Sequence, residues 1–121
     1  MTDAITDNDR YVVISTDSHA GGSMEQYRDY LDPEWRDEFD AWRDKYRNPF
    51  RDLQDDGRTR NWDSDLRIND QRTDGVVAEV TFPNTVPPFF PTGALLTPPP
   101  NAENYRRRLA GIRAHNRWMV D

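Results

Sequence analysis

In the stretch YVVISTDSHAGG, Tyr11 to Gly22, two side chains have the types and the spacing for metal chemistry: Asp17 and His19, at i and i+2 directly after a β-favouring run. Side chains alternate in direction along an extended backbone, so residues two apart share a side and converge on one point. A carboxylate and an imidazole suit a divalent metal, Zn²⁺ or Mn²⁺ ahead of Fe²⁺. Gly21 and Gly22 let the backbone turn away at once and keep the approach open. The same residues also read as a polar turn, with Asp17 and Ser18 capping it and His19 bonded to a backbone carbonyl. The chain has no cysteine, so His, Asp and Glu are its only candidate ligands.

Four further positions carry polar or aromatic chemistry. His115, in RAHNRW, falls on a helix away from any strand end and reads as structural. Glu79 shares a strand face with Val77 and Thr81; an inward-facing carboxylate there calls for an arginine partner. Phe89 and Phe90 sit in a proline-stiffened loop, where their rings are expected to cover a pocket or a partner surface.

The elements that position these groups follow from the pattern. Residues 1–10 read as a solvated tail, and Tyr11–Thr16 as a strand with little alternation, the mark of a parallel strand buried on both faces. Asp32 as N-cap and Pro33 at the first helical position open a helix whose Trp35, Phe39, Trp42 and Tyr46 form an aromatic stripe. An irregular excursion is expected at 48–63, then a short helix with Ser64 as N-cap and Gly75 as its stop. The segment VVAEVTF, Val76 to Phe82, is the second strand. Seven prolines preclude long regular structure in the loop at 83–100. A last helix begins near Asn101, with Ala102, Tyr105, Leu109, Ile112 and Met119 on its expected core face.

The totals restrict the function classes. Among 121 residues, Leu, Ile, Val and Phe number only 22, while four Trp, five Tyr and five Phe argue against a disordered chain. The expectation is a folded polypeptide that completes its core against something else. A net charge of −6 disfavours nucleic acid. The acidic N-terminus lacks a signal-peptide core and no segment reaches membrane-span length, which makes a cytoplasmic location the expectation.

The segments ISTDSH, YRDYLDPEWRD, RTDGVVAEVTFPN and YRRRLAGIRAHNRWMVD, in this order, resemble the N-terminal part of the amidohydrolase-related family, the metal-dependent hydrolases and aminocarboxymuconate-semialdehyde decarboxylase-like enzymes. The resemblance implies an α/β chain holding the first two βα units of a (β/α)8 barrel, incomplete by itself and spanning 11–121. It implies that Asp17 and His19 occupy the family's paired positions at the end of the first strand; Asp rather than His in the first place departs from the commonest hydrolase pattern. It also implies that Asn84, just past the second strand, lies on the rim where barrel enzymes contact substrate, with Phe89 and Phe90 over the pocket. The expected protein is then the N-terminal portion or small subunit of an enzyme that hydrolyses or decarboxylates a small organic substrate. A larger chain would supply the remaining strands and metal ligands, and this piece alone would be inactive. The competing expectation is a non-catalytic acidic subunit or interaction protein that keeps part of the fold.

Overall fold

The structure, a computed structural model, describes residues 11–46, 61–83, 87–91 and 98–121. Its elements run β1 (Val13–Ala20), α1 (Met24–Tyr30), a 3₁₀ turn (Pro33–Trp35), α2 (Arg36–Lys45), α3 (Ser64–Asp74), β2 (Val76–Pro83) and α4 (Tyr105–Val120). The expected tail at 1–10 and residues 48–60 of the expected excursion lie outside the described residues.

The chain is mixed α/β, with β1 and β2 paired in parallel as a two-stranded sheet. Helix α3 leads into β2 and packs against it, while α4 packs on α1 and α1 touches α2. The core lies among the helices: Tyr27 and Leu31 from α1 and its end, Phe39 from α2, Phe89 from the proline-rich loop, and Ala110 and Ala114 from α4. Trp35 and Trp42 pack against this cluster, so the aromatic stripe of the 3₁₀ turn and α2 is core, as its spacing implies.

The reading as two units of a (β/α)8 barrel is corrected by this arrangement. Barrel strands are covered on both faces. Here Ile14 is 53% exposed, Val80 49% and Phe82 48%, so one face of the sheet is open. Among the described residues, the connection from β1 to β2 carries three helices and α4 folds back onto α1, with no repeated strand-then-helix unit along the sheet. An uninterrupted β-favouring run was read as burial on both faces, but β-branched residues favour the pleated backbone whether or not a second layer covers them.

Other boundaries show the local chemistry at work. Helix α1 opens with a capping box in which the Ser23 hydroxyl accepts from the Gln26 backbone and the Gln26 side chain accepts from the Ser23 backbone. Asp63, one residue before the expected Ser64, caps α3 through the Leu66 N–H. Gly75 ends α3 in the left-handed conformation at φ 73°, as its position implies. The buried face of α4 is Arg108, Ala110, Gly111, Ala114 and His115, whereas Tyr105, Ile112 and Met119 are exposed. Small residues there allow close approach: a Cβ on Gly111 would stand 2.0 Å from the Pro88 carbonyl oxygen. Among the described residues, no helix is long and apolar enough to cross a membrane.

Candidate functional site

At the end of β1 the pairing register with β2 shifts between Ser15 and Ser18, and the two hydroxyls meet across the irregularity at 2.7 Å. Beyond it, Asp17 and His19 project together: Asp17 Oδ1 lies 3.4 Å from His19 Nε2. Both side chains are solvent-accessible, at 89% and 51%. The His19 ring stands 6.1 Å from the ring of Phe82, its neighbour across the ladder, which places the pair on the open face of the sheet beside apolar residues.

The other face holds this strand end in place. Arg67 of α3 donates from Nη1 to the His19 carbonyl oxygen at 3.0 Å and from Nε to Glu79 Oε2 at 2.7 Å. The guanidinium therefore ties α3, β1 and β2 together, and it is the arginine partner that an inward Glu79 requires. After the strand, the Gly21 N–H donates to the Asn61 carbonyl at 3.1 Å, fixing where the chain leaves the sheet.

The donors fit one divalent ion in part. Metal–ligand legs of about 2.1 Å meeting at a near-tetrahedral angle span about 3.4 Å, so the observed separation lets Asp17 and His19 share an ion. Among the described residues, no group of three or more His, Cys, Asp or Glu side chains gathers to hold a metal. Asp17 and His19 are thus two candidate ligands on an open surface, and a lasting site would need a third or fourth from elsewhere.

The remaining expected site residues lie apart from this pair. Asn84 falls outside the described residues. Phe89 is buried in the helical core, its ring 5.9–6.1 Å from Trp35, Phe39 and Trp42. It takes a left-handed backbone at φ 69°, which costs a non-glycine residue about 1–2 kcal/mol and which the surrounding rings hold in place. Phe90 is half-buried beneath the Arg108 guanidinium, 5.6 Å from its ring centre.

His115 has a structural role. Its Nδ1 lies 2.7 Å from the Tyr27 hydroxyl in the interface of α1 with α4, with Trp118 against both rings. Burial pushes the His115 pKa down and the Tyr27 pKa up, so both are neutral at pH 7. Which of the two donates is set by the tautomer of the neutral imidazole.

A second concavity escaped the sequence reading. A cavity of about 450 Å³ opens at the carboxyl ends of the strands on the helix-covered side, lined by Ala20, Thr81, Trp62, Arg67 and Trp118 among others. Its walls come from segments far apart in sequence, so no local motif announces it. Comparison with known proteins adds nothing to these observations: no family model, no curated protein and no solved structure matches this chain.

Proposed function

We propose that the chain contributes Asp17 and His19 as half of a divalent-metal site in an amidohydrolase-like hydrolase or decarboxylase acting on a small organic substrate. The carrying observation is the 3.4 Å approach of a carboxylate and an imidazole on an uncovered sheet face. The reaction class comes from the resemblance of the four segments. The remaining ligands come from a second polypeptide that packs on the open face and pairs with its exposed strand edges.

When bound, such an ion lowers the pKa of a coordinated water and polarises a carbonyl or carboxylate. The chain's own residues bind and orient. His19 offers a ring nitrogen and Asp17 a carboxylate oxygen; Arg67, holding the His19 carbonyl, keeps the strand end from shifting. Phe82 sets an aromatic ring beside the imidazole, with ring centres 6.1 Å apart.

Titration with Mn²⁺ followed by nuclear magnetic resonance tests this reading. Paramagnetic broadening is expected to centre on Asp17 and His19, with weak affinity, and to vanish in His19→Ala. Submicromolar Zn²⁺ binding by the chain alone would overturn the shared-site reading. Broadening that ignores His19→Ala would remove the site and leave a non-catalytic subunit.

A further inference from the structure

We propose that the cavity behind the sheet binds a small organic cation, an amine or a quaternary ammonium group. The site lies on the opposite side of the sheet from Asp17 and His19, because Ala20 and Thr81, which line it, alternate with His19 and Phe82. It does not rest on the metal reading.

Size and position come first. About 450 Å³ is within the range of small-molecule pockets, and a crevice outside the carboxyl ends of parallel strands is where open α/β sheets place ligands. The chemistry of the walls then selects the ligand. Trp62 and Trp118 supply indoles from two different segments, and an indole face is the best aromatic partner for a cation. Asp63 and Asp121 add two carboxylates. Each already accepts one hydrogen bond, Asp63 from the Leu66 N–H and Asp121 from the Tyr30 hydroxyl, but from neutral donors that leave the negative charge in place.

Among the described residues, the one guanidinium in the lining does not reverse this field. Arg67 is committed to Glu79 at 2.7 Å and to the His19 carbonyl at 3.0 Å, so its charge is compensated from outside the cavity. Among the described lining residues, an anion would meet two carboxylates with no spare cation. The hydroxyls of Ser64 and Thr81 line the same space and make no hydrogen bond among the described residues, leaving polar contacts for a hydroxyl or N–H on the ligand.

The test uses the whole chain with choline as probe and 3,3-dimethylbutanol as its uncharged isostere, followed by the indole N–H resonances of Trp62 and Trp118. Choline is expected to shift both signals saturably, with the isostere about tenfold weaker, the size of a partly desolvated cation–π contact. Asp63→Asn keeps an N-cap and removes a charge, so it is expected to fold and to weaken choline several-fold. Trp62→Leu is expected to weaken it about tenfold. Equal binding of choline and its isostere, preference for acetate, no saturable shift with choline, or an unchanged affinity in folded Asp63→Asn would each overturn the proposal.

Discussion

A single buried hydrogen bond gives the molecule a pH dependence whose sign is fixed by burial. His115 shares a hydrogen bond with Tyr27 in the interface between α1 and α4, and desolvation holds its pKa below the ordinary 6.5. Between the two values the unfolded chain binds a proton that the folded chain refuses. Its contribution to stability is therefore complete above about 6.5 and is lost as pH falls below it. Tyr27 has the opposite sign, since a raised pKa withdraws stability as pH climbs past 10. Urea midpoints measured between pH 7.5 and 5.5 are expected to fall, and Tyr27→Phe, which strands the imidazole nitrogen, is expected to cost about 1–3 kcal/mol at pH 7.5. A midpoint that does not fall toward pH 5.5 would remove His115 from this role. At this scale much was legible: an inward Glu79 demanded an arginine, and His115 was too far from a strand end to read as a ligand. The identity of each partner was not, because Arg67 and Tyr27 reach their sites by folding rather than by spacing.

Elements were read best where a special backbone or a long stripe marks them. Gly75 and the Trp35, Phe39, Trp42 stripe are such marks. Helix α1 was missed because its seven residues are too few for a period to show; the Ser23 and Gln26 capping pair was its only local signal. The face of α4 was misassigned for a different reason. Its large apolar residues suggest one buried side, but the loop through Pro88 and Phe89 needs close approach and selects the side with Ala110, Gly111 and Ala114. Two glycines separate these effects. At Gly111 a methyl group meets a backbone oxygen, which moves only if the loop shifts, so Gly111→Ala is expected to cost about 3 kcal/mol or more, past the ~1–3 typical of overpacking. At Gly75 nothing lies within 4 Å, and Gly75→Ala pays only the left-handed penalty of about 1–2 kcal/mol. Chemical denaturation of the two variants checks the order. Equal losses would show that the loop shifts to accommodate Gly111→Ala.

For the whole molecule the decisive feature is an imbalance between a packed helical side and an unpacked sheet. Tyr27, Leu31, Phe39 and Phe89 are nearly inaccessible, while Ile14, Val80 and Phe82 keep half their surface in water beside two strand edges that pair with no other strand among the described residues. Composition foretold this much, since so few aliphatic residues cannot cover both sides of a sheet. It did not foretell the architecture, because a parallel strand pair joined through helices is common to many folds and the barrel reading borrowed the rest from resemblance. Exposed strand edges and an apolar face are surfaces that other chains occupy. At raised concentration the isolated chain is therefore expected to self-associate through the sheet, despite its net charge of −6. Ile14→Lys with Val80→Lys places two charges on that face, where neither residue supports the helical core. Sedimentation is expected to show the double variant monomeric at concentrations where the parent associates, with its far-ultraviolet helix signal retained. A parent chain that stays monomeric at hundreds of micromolar, or a variant that associates as strongly, would show that the open sheet is not a docking surface and would remove the main support for a partner at Asp17 and His19.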